Sequence, residues 1–127
     1  MSHYSRLLKI VIDVPASTHD REVSFWGEAL GVELPPRFGG DIYHGGYLHG
    51  QDIVLLTQRL ESGSPRVHLD IHTDDLDAEV ARLERLGAER VEWVEHWWIM
   101  RDPAGLPFCV LPARPGSLTD DNARRWD

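Results

Sequence analysis

The sequence predicts an α+β fold in which one strand–helix–strands unit is written twice, and three observations carry that prediction. LLKIVIDV (residues 7–14) and RVHLDIHT (residues 66–73) both alternate between two kinds of side chain, the period of a strand whose successive residues point to opposite faces. Each is followed by a stretch of helical spacing that ends in Leu-Gly, at Leu30-Gly31 and Leu86-Gly87. Each helix then gives way to short extended segments divided by Pro and Gly. Aligning the two Leu-Gly pairs also superimposes Glu28 on Glu84 and Glu33 on Glu89. The reading is therefore a β-α-β-β-β unit repeated within 127 residues.

The elements follow in order. In the first strand Ile10, Ile12 and Val14 share one face, and Lys9, Val11 and Asp13 the other, more polar one. PASTH breaks it. From about residue 20 to 30, Val23, Trp26 and Leu30 form an apolar stripe and place Trp26 in the core; Ser17 or Thr18 is the expected N-cap, and Gly31 suits the left-handed position after the last turn. Residues 32–60 read as strands and loops, with IVLLTQRL the clearest strand. A turn at residues 62–65 precedes the second copy: RVHLDIHT, a helix from about 75 to 86 striped by Leu76, Val80, Leu83 and Leu86, then Gly87. The acidic TDDLD suits the positive end of that helix dipole. WWIMRDPAGLPFCVLP closes the repeat as strand, Asp-Pro-Ala-Gly turn and strand. The expected limits are residues 7–61 and 66–112 for the two modules of a single domain, with a polar, partly ordered tail over 113–127. Trp126 in that tail is a candidate contact to a second copy of the chain, as in a homodimer.

Composition narrows the partners. Thirteen Lys and Arg against 21 Asp and Glu leave a net charge of −8, which repels phosphate backbones and anionic lipid surfaces. Nucleic acid and membrane partners are not expected. No apolar run resembles a signal peptide or a membrane span, and the lone Cys109 has no partner for an internal disulfide, so the expected location is the cytoplasm. Five tryptophans supply aromatic area for a core or a pocket.

The chemistry-bearing stretch is RVHLDIHT, because alternation puts His68, Asp70 and His72 on one face and Val67, Leu69 and Ile71 on the other. Two imidazoles and a carboxylate on one face form either part of a metal site or a polar wall.

The strand carrying His68, the helix DDLDAEVARLERLGA, the FW before the first Leu-Gly and the closing DPAGLPFCV resemble the glyoxalase/bleomycin-resistance family, also called the vicinal oxygen chelate superfamily, and within it the glyoxalase-like subgroup. The resemblance implies two βαβββ modules forming a cupped mixed sheet with the helices outside. It also implies a divalent metal held at about four positions in the cup. Those positions fall here on Lys9, on Gln58, on His68 and on Cys109. A lysine ammonium repels cations, and Cys109 stands where the metal enzymes carry Glu, so a hard dication is not expected and no cofactor is assigned; if any metal binds, His68 is its ligand.

The expected function is binding of a small, partly apolar or aromatic molecule, for sequestration or metal-free catalysis; the alternative is a divalent-metal-dependent lyase, isomerase or dioxygenase. His68, Asp70 and Lys9 are the candidate catalytic group, with His68 as base or acid and Lys9 holding an oxyanion, although Asp70 paired with Lys9 would also serve as a structural device. Trp98 or Trp97, Met100, Cys109, Tyr43, Tyr47 and Gln58 are the candidate ligand-binding residues. His72 and Asp13 are expected at solvated strand ends.

Overall fold

The computed structural model describes residues 2–127, among which lie eight strands and two helices. The order is β1 (His3–Pro15), α1 (Ala16–Leu30), β2 (Tyr43–Tyr47), β3 (Val54–Leu60), β4 (Arg66–Thr73), α2 (Leu76–Arg85), β5 (Glu89–Val94), β6 (Trp97–Arg101), β7 (Pro107–Pro112) and β8 (Arg124–Trp126). The fold class is α+β. The described chain divides into two compact units, residues 9–68 and residues 2–8 with 69–127, so the cuts fall inside β1 and β4.

In the unit of residues 9–68, β3 pairs in parallel with β1 and in antiparallel with β2. The register puts Lys9, Val11 and Asp13 beside Val54, Leu56 and Gln58, and sets Ile10, Ile12 and Val14 beside Leu55, Thr57 and Arg59. α1 lies on the second of these faces, because its buried His19 bonds Thr57. The segment that corresponds to β5 in the other repeat is reduced here to one bridge, Pro36 to His44. Pro35 and Pro36 lack the N–H that a strand ladder requires.

α1 begins earlier than its apolar stripe suggests. Pro15 is its N-cap and no side chain caps it; Thr18 instead donates its hydroxyl to the Pro15 carbonyl at 3.3 Å. Proline cannot donate there, so no bond is lost. Trp26 is only half-buried and donates Nε1–H to Glu22 Oε2 at 3.1 Å, which corrects its assignment to the core. Gly31 takes φ 66°, ψ 38°, the left-handed conformation its position demanded.

In the other unit, β4 pairs in parallel with β7, which pairs in antiparallel with β6, and β6 with β5. Val80 of α2 packs on Met100 and Val110, all three fully buried, with Leu76, Leu83, Trp98 and Phe108 around them. Asp75 caps α2 by accepting the Ala78 N–H at 3.1 Å. The acidic first turn does more than face the dipole: Glu79 is fully buried, accepts two bonds from Arg82 at 2.8 and 2.9 Å, and lies 2.7 Å from His3 Nε2.

The tail ends in regular structure, since β8 pairs in antiparallel with residues 3–5 of β1. Trp126 donates Nε1–H to Ser5 Oγ at 2.9 Å, and the Arg82 guanidinium lies 3.8 Å over its ring. The ring offered above to a second copy is thus spent within its own unit, where cation–π attraction and a hydrogen bond hold it.

Candidate functional site

The polar faces of β1 and β4 bring His68 to Asp13. His68 Nδ1 lies 2.6 Å from Asp13 Oδ2, both within the unit of residues 9–68. An ionised carboxylate only accepts, so the imidazole donates Nδ1–H, and in the neutral ring the lone pair then sits on Nε2. Asp13 is 1% exposed, and its Oδ1 is buried with no hydrogen-bond partner among the described residues. Placing Asp13 at a solvated strand end is therefore corrected. It shares the face of Lys9 in the alternation of β1, and that was the signal available in the sequence.

The same face carries the other candidates of this unit. Gln58 stands beside Asp13 in the β1–β3 register, and Tyr43 beside Gln58 in the β2–β3 register. Gln58 Nε2 donates to the Tyr43 hydroxyl at 3.4 Å. Tyr47 pairs with Val54 on this face and is 59% exposed. Gly45 lies between the two tyrosines, where an added Cβ would come within 2.8 Å of Leu56 Cδ1. Arg66, two residues before His68 on β4, brings Nε to 3.7 Å from Asp13 Oδ2.

In the other unit Asp70 and Cys109 stand side by side in the β4–β7 register, turned away from α2, while Phe108 and Val110 turn toward it. Asp70 is 5% exposed, and Cys109 is half-buried and a free thiol. A carboxylate oxygen of Asp70 and the Cys109 thiol lie within 4.8 Å of each other. Trp98 and Met100 do not share that face. They pack against α2, with Met100 fully buried, so of the tryptophan pair it is Trp97 that alternates to the side of Cys109. The register of β6 was ambiguous by one residue in the sequence because WWIM is apolar on both sides.

A third polar group lies on the α1 side of β3. His19, 1% exposed, donates Nε2–H to Thr57 Oγ1 at 2.9 Å, and Thr57 in turn donates to the His44 carbonyl at 3.4 Å. His44 donates Nδ1–H to the Leu34 carbonyl at 3.1 Å and its ring meets that of His19 edge-on at 5.1 Å. Burial, and then the neighbouring His44, hold the His19 imidazole below its ordinary pKa of 6.5. This group maintains structure, since α1 covers it.

Residues 9–111 match the family described as Glyoxalase-like domain. The chain belongs to that family. It is thereby a member of the glyoxalase/bleomycin-resistance, or vicinal oxygen chelate, superfamily. Solved structures agree on the fold of this glyoxalase-like chain. A protein described as an NAD-dependent benzaldehyde dehydrogenase from Legionella pneumophila aligns with a TM-score of 0.61 at 7% identity, over 83% of this chain and 99% of that one. Methylmalonyl-CoA epimerase from Mycobacterium tuberculosis aligns at 0.59 and 20% identity, over 86% and 88%. A glyoxalase/bleomycin resistance protein/dioxygenase superfamily member from Vibrio splendidus 12B01 aligns at 0.53 and 18% identity, over 83% and 97%. At these identities the likeness carries the fold alone. No curated protein matches the chain.

The glyoxalase-like fold raises the question of a divalent metal, and the residues at the expected positions do not fit a hard one. Lys9 brings an ammonium and Gln58 a neutral amide, and Cys109 puts sulfur where a carboxylate is needed. What remains within the second unit is the Asp70 carboxylate beside the Cys109 thiol, a donor pair softer than Mg²⁺ or Mn²⁺ prefers.

Proposed function

We propose that the chain binds a small, partly apolar or aromatic carbonyl compound on the His68–Asp13 face and moves a proton on it without a hard divalent metal. The single observation that supports this most is the 2.6 Å contact between His68 Nδ1 and Asp13 Oδ2. A buried carboxylate on one ring nitrogen fixes the ring's tautomer and orientation and stabilises the imidazolium that forms when the other nitrogen takes a proton.

In this reading His68 Nε2 removes a proton from the carbon next to a carbonyl. The C–H electron pair moves into the carbon–carbon bond, the carbonyl pair moves onto oxygen, and the proton returns from His68 to carbon. Lys9, four residues before Asp13 on the same face of β1, stabilises the developing oxyanion. Val11, Val54 and Leu56 give that face an apolar floor, and Tyr43 and Tyr47 an aromatic edge. The unpaired thiol of Cys109 suits a reducing compartment, so we assign the protein to the cytoplasm.

The test is deuterium incorporation from D₂O into a panel of small aryl ketones and 2-oxo acids, followed by NMR with and without chelator. Wild type should exchange the α-proton in the presence of EDTA. His68→Gln should lose about 10²-fold or more, the scale of a positioned general base. Exchange that survives His68→Gln, or that requires added Mg²⁺ or Mn²⁺, would overturn the reading.

The second reading, a metal-dependent enzyme, has the neighbouring Asp70 and Cys109 donors in its favour. Metal analysis separates the two. Protein purified without added metal should contain far less than one equivalent of Zn, Mn, Fe or Ni, and chelators should leave its Tm unchanged.

A further inference from the structure

Arg66 sits on the same side of β4 as His68, and its charge is under-used. Nε lies 3.7 Å from Asp13 Oδ2, beyond hydrogen-bond length, and no described group accepts a bond from the guanidinium. The side chain is 52% exposed at the start of the strand. Asp13, the acid it approaches, is already engaged by His68 at 2.6 Å. A guanidinium beside a carboxylate ordinarily closes into a bidentate pair, as Arg82 and Glu79 do in this chain at 2.8 and 2.9 Å. Arg66 does not; an added Cβ at Gly63 would lie 3.2 Å from its Nη1, so the guanidinium rests against the turn before the strand. Its planar fork of donors remains available at the rim of the dyad.

The charges along β4 also have a direction. Arg66 stands two residues to one side of His68 and Asp70 two residues to the other, all on one face. An incoming anion is attracted at the Arg66 end. On β1 the same face adds Lys9, and the only acid among Lys9, Val11, Asp13, Val54, Leu56 and Gln58 is the engaged Asp13. Arg66 is thus an exposed cation in a chain of net charge −8 whose bulk surface does not favour anions.

We propose that the molecule taken by this face is a small organic carboxylate with an apolar or aromatic body, and that Arg66 is the residue that selects the carboxylate. The proposal rests on the dyad reading for the site's location, and on Arg66 for the ligand's charge. Guanidinium is suited to the role because it matches a carboxylate with two parallel N–H···O bonds, which an ammonium does not reproduce.

The experiment compares phenylacetate and 3-phenylpropionate with their neutral amides by ligand-observed NMR and calorimetry at pH 7 on the full chain. Each acid should bind at least about 10-fold more tightly than its amide, and the preference should shrink as salt screens the pair. Arg66→Gln should abolish the preference while leaving amide binding unchanged, and Arg66→Lys should restore only part of it. Equal affinity for acid and amide, a preference that survives Arg66→Gln, or no binding of any of the four at millimolar concentration would each overturn the proposal. Circular dichroism and Tm show that Arg66→Gln is folded. Failure of the dyad reading looks different: acids still bind better than amides through Arg66, but His68→Gln leaves proton exchange untouched.

Discussion

His68 Nδ1 and Asp13 Oδ2 lie 2.6 Å apart although 55 residues separate them in the chain. The contact joins a largely buried ring to a carboxylate that is almost fully buried, so the carboxylate holds the hydrogen on Nδ1 of the ring. In ¹⁵N spectra of the wild type at neutral pH, His68 should show the Nδ1–H tautomer. Asp13→Asn should shift that signature toward the mixture of an unconstrained ring. Asp13→Ala should also lower stability by about 1.5 to 3 kcal/mol, the range for a hydrogen bond to a charged group, as read from urea unfolding. An unchanged tautomer in Asp13→Asn would mean that the carboxylate does not orient the ring.

His19 makes acid a selective stress on the unit of residues 9–68. Burial holds its folded pKa below the ordinary 6.5, so the folded state binds fewer protons than the unfolded state in that range. Its contribution is complete above about pH 6.5 and is lost as pH falls below that value. His44 and Arg59 oppose its protonation and Asp20 and Asp41 favour it, but burial is the larger influence. Tm should therefore decline between pH 7 and 5, and His19→Gln, which keeps a donor for Thr57, should flatten that decline. Parallel wild-type and mutant profiles would remove His19 as the cause.

Glu79 acts in a lower window. Burial alone would raise its pKa, yet the hydrogen bonds from Arg82, His3 and Ser5 outweigh burial and hold it below 4.5. The stabilisation is present above pH 4.5 and is lost as pH falls through the depressed folded pKa. Glu79→Ala leaves Arg82 and His3 beside an empty site and should cost about 3 to 5 kcal/mol. Glu79→Gln should cost less and remove the dependence below pH 4.5. A Glu79→Ala protein within 1 kcal/mol of wild type, on the scale of about ±0.5 for a surface change, would show the network to be energetically idle.

Gly31 and Gly87 hold positive φ, 66° and 110°, after the two helices. An added Cβ at Gly31 meets nothing within 4 Å, so any cost there is backbone strain rather than collision. Gly31→Val should lose about 1 to 2 kcal/mol and Gly31→Ala less. At Gly87 the Cβ would also touch the Pro103 ring at 3.4 Å, so the same changes should cost slightly more there. Equilibrium unfolding of the four variants checks the order, and a Gly31→Val protein as stable as wild type contradicts it.

What the sequence determined by itself is whatever depends on neighbours along the chain. Alternation in residues 66–73 placed His68, Asp70 and His72 on one side of β4, and Leu-Gly at each helix end marked the left-handed positions, because φ, ψ and side-chain direction are set within a few residues. The doubled pattern was enough to name the α+β class, and the resemblance of the His68 strand, DDLDAEVARLERLGA and DPAGLPFCV to a known family supplied the family. Partner choice was not legible. Lys9, Asp13 and Asp70 were all carboxylate or ammonium groups on suitable faces, and only the register between distant strands decided that His68 meets Asp13. The same holds for WWIM, where a shift of one residue exchanges Trp97 for Trp98 and only packing of Met100 under Val80 fixes the choice. Nothing in the local pattern marked Glu79 as buried; the fold brings His3 to it across 76 residues. Burial of a charged group is decided by what packs over it, and those groups come from parts of the chain that local patterning does not connect.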